Sequence, residues 1–330
     1  MFHCSSSNRR SFLKSACLSI STAGILAGSG SEKKGSSEPS LVQRLGYAAE
    51  TRLLLLSSDE FGETHASNTG IIQAWEAGIL KATTWLAPST WAPEAADYVR
   101  KHPKMDVGVH LTLTMGHKEA IGWRPLLPRT DVPGLYTPDG FLYQTGVEVW
   151  KHTTATEVKR ESQAQIELAI KMGIDPSHLD PHDGILGNLT GNLPDFAKIY
   201  VELAEEFSLP VRMPPTQEKL VEMGLPGIRP MISKKGVLMA DSGAAMEGRE
   251  NYRKMLHELP KGAVSEIYVH PAVECDEIKA ARKDWWQQGV GEHRLLTKDR
   301  EELRQALKEE GIALIGWREI RDLQRSGAKA

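Results

Sequence analysis

The chain of 330 residues carries 40 Lys and Arg against 43 Asp and Glu, a formal net charge of −3, which offers no basic surface to a nucleic acid. A hydrophobic content of 40% with a mean hydropathy of −0.35 describes a globular protein, neither disordered nor embedded in a membrane. The length permits two domains, yet a single α/β barrel routinely uses roughly 200–250 residues.

The N-terminal end stands apart from the fold. Asn8-Arg9-Arg10-Ser11-Phe12-Leu13-Lys14 resembles the twin-arginine export pattern R-R-x-F-L-K, and a weakly apolar stretch from Ser15 to Ala27 follows it. That stretch is shorter than the roughly 20 residues needed to span a bilayer, so it suits a signal peptide and gives no stable membrane anchor. The expectation is a twin-arginine-type signal over 1–30, a polar linker over 31–50 and a barrel domain over 51–325, in a protein exported to the periplasm or beyond. Of Cys4, Cys17 and Cys275, only Cys275 survives removal of such a signal, leaving no internal disulfide in the mature chain.

From residue 52 onward, short apolar runs alternate with amphipathic segments. Arg52–Ser57 is a continuous apolar run, as in a strand covered on both faces, and a helix with Ile71, Ile72, Trp75 and Ile79 at helical spacing follows over 68–78. Strands are expected at 81–87 and 107–113, separated by a helix over 92–102. A Gly- and Pro-rich loop over 114–153 carries Trp123, Tyr136, Phe141 and Tyr143, either a platform for a ligand ring or ordinary loop packing. Next come a helix over 157–172 closed by Gly173, a short strand at 178–180 and a helix over 193–207. A strand starting at Val211 stops at Pro214-Pro215. The remainder gives a helix over 251–259, strands at 264–269 and 312–315, the intervening helix 298–310 and a helical tail. This alternation predicts a parallel sheet, most simply a distorted or incomplete β/α barrel in a single domain.

Ionisable residues fall where these strands end. The first strand runs into Asp59-Glu60, the third into His110 and the 264–269 strand into His270, while the short fourth strand carries His178, Asp180 and His182. In a parallel barrel such ends share one rim, where active sites sit. Two imidazoles and a carboxylate with open positions suit a catalytic divalent metal ion. Each residue also has a plainer reading: Asp59 as a helix N-cap, Glu60 as a solvated neighbour, His178 paired with Asp180 and His182 with Asp183. The coincidence of four strand ends favours a site.

Ser57-Ser58-Asp59-Glu60-Phe61-Gly62, followed by Asn68-Thr69-Gly70-Ile71-Ile72, is similar to the opening signature of the YdjC-like carbohydrate deacetylases. Val107-Gly108-Val109-His110-Leu111, His178-Leu179-Asp180-Pro181-His182, Leu209–Pro214 and Ser265-Glu266-Ile267-Tyr268-Val269-His270-Pro271 resemble later blocks of that family, in the same order. The resemblance implies a distorted barrel hydrolase, related to the NodB-type polysaccharide deacetylases, that removes an N-acetyl group from a small amino sugar. It implies one divalent cation, Zn²⁺ or Mg²⁺, held by Glu60, His110 and His182, with Asp59 as general base and His270 as the acid for the leaving amine. Arg212 would orient Asp59 or contact substrate. His178, Asp180 and Glu266 would surround the site, His178 and Asp180 by holding His182. Glu60 stands where the family pattern has Asp, and Gly184 where many members carry a third His, so both ion and sugar preference are expected to differ. Two rival readings are a non-haem iron oxygenase with a 2-His-1-carboxylate site and an exported carbohydrate-binding protein without catalysis.

Overall fold

A computed structural model describes residues 39–116, 121–184, 193–212, 216–222, 226–246 and 248–327. The signal reading, Cys4, Cys17, most of the linker and Pro214-Pro215 lie outside these residues. The strands, in chain order, are β1 (Arg52–Phe61), β2 (Ala82–Trp85), β3 (Val107–Leu111), β4 (Leu179–Pro181), β5 (Ser242–Ala245), β6 (Val264–Val269) and β7 (Ile312–Ile315). All pair in parallel, in the order β4-β3-β2-β1-β6-β5. One edge of β1 is taken by β6 along residues 53–58; its other edge is shared by β7 at 52–55 and β2 at 57–61. Beyond β4 the ladder thins to single parallel bridges, Leu179 to Val211 and Val211 to Met239. The sheet is thus an incomplete β/α barrel in one domain, as the alternation predicts.

Two expectations shift. The strand expected from Val211 is a single residue bridged on both sides rather than a ladder, flanked by Pro210, which has no N–H to donate. Strand β5, Ser-Gly-Ala-Ala, has neither alternation nor β-branched residues, and it exists because it covers the open edge of β6. The long loop holds a helix of its own, Gly146–His152, started by a capping box between Thr145 and Glu148. Among the described residues no helix is long and apolar enough to cross a membrane.

Side-chain parity explains how the barrel is filled. Leu53 and Leu55 join Val264, Ile315, Trp317 and Val42 in a buried plug. Leu54 and Leu56 point the other way, into the larger core under the helices with Val107, Val109, Leu179 and Ile267. Continuing inward along the strands, Ser57 donates to Glu266 at 2.6 Å, and above that level come Asp59, His110, Asp180 and Tyr268. The layers therefore run from apolar to charged toward the C-terminal ends of the strands.

His178 belongs to the middle layer. Its ring stacks on Trp317 with centroids 4.6 Å apart and lies against Gly108, where a Cβ would come within 2.5 Å of the imidazole. Burial and the nearby Arg212 charge hold its pKa well below the usual histidine value, so the ring is neutral. Gly108→Ala is therefore expected to destabilise the protein by about 1–3 kcal/mol through overpacking. A melting temperature equal to that of the parent protein would contradict this packing.

Candidate active site

β1 does something unusual at its end. Consecutive strand residues face opposite sides of a sheet, so Asp59 and Glu60 should diverge. The register slips by one residue between Ser58, opposite Thr83, and Phe61, opposite Trp85, which marks a bulge. Glu60 there adopts φ +72°, a left-handed conformation that costs a side-chain-bearing residue roughly 1–2 kcal/mol. The bulge turns both carboxylates into one cavity of about 490 Å³, lined also by His110, Asp180, His182, Arg212, Tyr268 and His270. Such strain at a cavity wall is characteristic of functional positions.

Two sets of metal-ligating atoms gather here. Oxygen or nitrogen atoms of Glu60, His110 and His182 lie within 4.8 Å of one another, and so do those of Asp59, His110 and Asp180. The second set is already served by a cation. Arg212 Nη1 donates to Asp59 at 2.8 Å and to Asp180 at 2.7 Å, and like charges 4 Å apart repel by about 4 kcal/mol per unit pair near a protein surface. In the first set, His182 Nε2 is 3.4 Å from Glu60 Oε1, and its Nδ1 is 3.3 Å from the Thr114 hydroxyl. His110 turns Nδ1 to Asp180 Oδ2 at 2.7 Å, leaving Nε2 as its ligand atom. A carboxylate behind a ligating imidazole is the usual way to fix its tautomer, so Glu60, His110 and His182 fit a divalent cation. Asp180 thus supports His110 rather than His182, and His178 touches neither ligand: the expectation that these two hold His182 is corrected, since the strand register sets Asp180 beside His110. Trp123 stands edge-on to His182, centroids 5.7 Å apart.

Arg212 ties the floor of the cavity together. Its Nε and Nη2 grip Glu266 at 2.9 and 2.8 Å, and Nη2 also reaches the Ser57 hydroxyl at 3.0 Å. Every N–H of the guanidinium is engaged, leaving nothing with which to hold substrate. Trp317 donates its indole N–H to Glu266 from below at 3.0 Å. Burial is the largest influence on both aspartates. It leaves the Asp59 carboxyl raised, with the Asp180 charge adding to the effect, whereas Arg212 and His110 hold Asp180 far below the usual carboxylate range. Burial pulls the His110 imidazole down, but Asp180, Asp59 and Glu60 together keep its pKa above the usual value. On the opposite side, His270 Nε2 is 3.8 Å from Asp59 Oδ2.

Of the aromatic residues of the long loop, Trp123 stands against His182 and the other three pack within the loop. Tyr136 donates to the Leu127 carbonyl at 2.7 Å, Phe141 lies under Arg124, and Tyr143 stacks on His152. The cavity takes its aromatic wall instead from Tyr268 and Trp285, together with Gln288. Tyr268 was readable as an inward strand position two residues before His270; Trp285 and Gln288 had no local signal.

A family model described as YdjC-like protein matches residues 53–310, and the chain belongs to that family. The carbohydrate deacetylase of Geobacillus stearothermophilus is 28% identical to it, over 82% of this chain and 98% of its own length. That of Halalkalibacterium halodurans is 31% identical over 74% of this chain and 95% of its own. The crystal structure of a putative cellobiose-phosphate cleavage protein from Enterococcus faecalis V583 superposes with a TM-score of 0.70 at 26% identity, covering 82% of this chain and 99% of that one. The donor set alone also satisfies a 2-His-1-carboxylate description, but the parallel β/α architecture and the family separate this chain from the oxygenase reading.

Behind His270 lies a group that the sequence did not reveal. Glu292 is fully buried and accepts the His270 backbone N–H at 2.6 Å and the Gln288 amide at 2.8 Å. Burial pushes its carboxyl up to about 7 despite those bonds. The folded protein thus keeps a proton that the unfolded chain releases near the ordinary value of 4.5. The associated stability is full below that value and lost as pH rises through about 7. Glu292→Gln should flatten the stability curve between about pH 4.5 and 7, measured by denaturant unfolding. A slope identical to that of the parent would contradict a protonated Glu292.

Proposed function

We infer that the protein is a carbohydrate deacetylase that removes the N-acetyl group of a small amino sugar with the help of one divalent cation. The observation that carries this reading is the placement of Asp59: beside the Glu60, His110 and His182 donor set, clamped by Arg212, and facing His270 across the cavity. Imidazole donors favour Zn²⁺ over Mg²⁺, which prefers oxygen ligands. When bound, such an ion lowers the pKa of water from 15.7 toward about 7 and polarises the acetyl carbonyl.

The remaining chemistry belongs to side chains. Asp59 accepts the proton of the attacking water as the new C–O bond forms at the acetyl carbon. Arg212 Nη1, shared between the two oxygens of Asp59, fixes the direction of that transfer. An amine leaves only after gaining a proton, and His270 is the side chain placed to give it as the C–N bond breaks, yielding acetate and the free amino sugar. Although Glu60 is one methylene longer than the Asp of the family pattern, its carboxylate still lies 3.4 Å from His182 Nε2. This favours catalysis over a purely binding role.

Asp59→Asn is expected to lower acetate release from acetylated amino sugars by about 10²–10⁴-fold while leaving the metal content unchanged. His182→Ala should lose the metal itself, and chelation of the parent enzyme should abolish turnover until the ion is restored. Full activity in Asp59→Asn, or in the chelated enzyme, would contradict the reading.

A further inference from the structure

One stretch of the cavity wall handles neither protons nor cations. Trp285 and Gln288, three residues apart at the start of the helix Trp286–Leu296, lie beside His270. The Trp285 ring stands edge-on to His270, with centroids 5.5 Å apart and an interplanar angle of 81°. Beneath it, 4.4 Å from the ring centre, sits the guanidinium of Arg282, which is fully buried. Arg282 is itself fixed, donating to Glu63 at 2.8 Å and to the His270 carbonyl at 2.6 Å. The indole is therefore held rigidly on its inner side, and its half-exposed remainder borders the cavity.

Gln288 is equally constrained. Its Nε2 has two hydrogens, and both are taken, by the Met246 carbonyl at 2.9 Å and by Glu292 Oε1 at 2.8 Å. Those two acceptors settle which way the amide faces, so what Gln288 has left to offer is its carbonyl oxygen. The other aromatic on the wall, Tyr268, is capped in the same way, by Arg212 4.5 Å from its ring centre, but its ring lies farther from His270, with centroids 6.1 Å apart against 5.5 Å for Trp285.

We propose that Trp285 and Gln288 form the sugar-recognition subsite: the pyranose ring carrying the acetamido group stacks on Trp285, and one of its hydroxyls donates to Gln288 Oε1. This rests on the deacetylase reading for its ligand class. A rigid aromatic platform beside His270 sets the departing amine next to its acid, and a fixed acceptor orients the ring. The pair discriminates ring-borne acetamides from small acyclic ones, which present the same bond but nothing to stack.

The test is calorimetric titration of full-length, metal-loaded Asp59→Asn protein with an N-acetylated amino-sugar disaccharide, alone and with Trp285→Ala, Trp285→Phe or Gln288→Ala added. Trp285→Ala is expected to weaken Kd about tenfold, with Trp285→Phe recovering most of it and Gln288→Ala weakening it several-fold. With Asp59 intact, the Trp285 and Gln288 variants should raise KM more than they lower kcat. Unchanged Kd in Trp285→Ala and Gln288→Ala, or no binding by the Asp59→Asn parent, overturns the subsite. If Trp285→Ala does not fold, an unchanged Kd in Gln288→Ala alone overturns it. Sugar binding that depends on Trp285 in a protein whose Asp59-intact form releases no acetate would instead sustain the subsite and remove the deacetylase reading.

Discussion

The structure turns on the guanidinium of Arg212. Buried inside the barrel, it is the shared partner of three carboxylates, Asp59, Asp180 and Glu266, contributed by β1, β4 and β6. Three negative charges against one positive charge in a place hidden from water leave a deficit of cation, and an unpaired buried charge is expensive. Every other feature of the rim can be understood as a response to that imbalance. Burial and the Asp180 charge push Asp59 toward protonation, Asp180, Asp59 and Glu60 draw the His110 imidazole toward the positive form, and Glu60, His110 and His182 gather donors that could hold a cation.

The same guanidinium separates two tasks. It occupies the gap between Asp59 and Asp180 and, on the proposed reading, thereby denies that pair to a metal ion and leaves Asp59 to act as the base. On that reading the ion is left to Glu60, His110 and His182. This division needs two adjacent residues of one strand to face the same way, which regular pleating forbids, and the bulge with its left-handed Glu60 supplies the exception. The scaffold beneath is correspondingly rigid: Trp317 supports both Glu266 and the neutral His178.

Much of this was legible from the amino acids because strands announce themselves by apolar runs and their ends by the first charge after them. Leu53–Leu56 running into Asp59-Glu60, and Ile267–Val269 into His270, fixed both the parallel barrel and the rim residues. Less legible was anything that depends on which strand lies beside which. His178 and Asp180 are two residues apart, yet one serves the packing under Gly108 and the other serves His110, a distinction made by the β3–β4 register alone. Trp285, Gln288 and Glu292 were invisible for a similar reason: their helix carries no strand-end signal, and only tertiary packing brings it against His270. For the aromatics of the long loop the sequence left a ligand platform and ordinary packing open, and the structure divides them: Tyr136, Phe141 and Tyr143 pack within the loop, while Trp123 stands against His182.

The most direct test of this division between ion site and base is anomalous X-ray diffraction from crystals of the zinc-loaded protein. A single strong peak bonded to Glu60, to Nε2 of His110 and to His182, with Asp59 still on Arg212, is the predicted result. A peak between Asp59 and Asp180 with Arg212 displaced, or no peak at this rim, would contradict it.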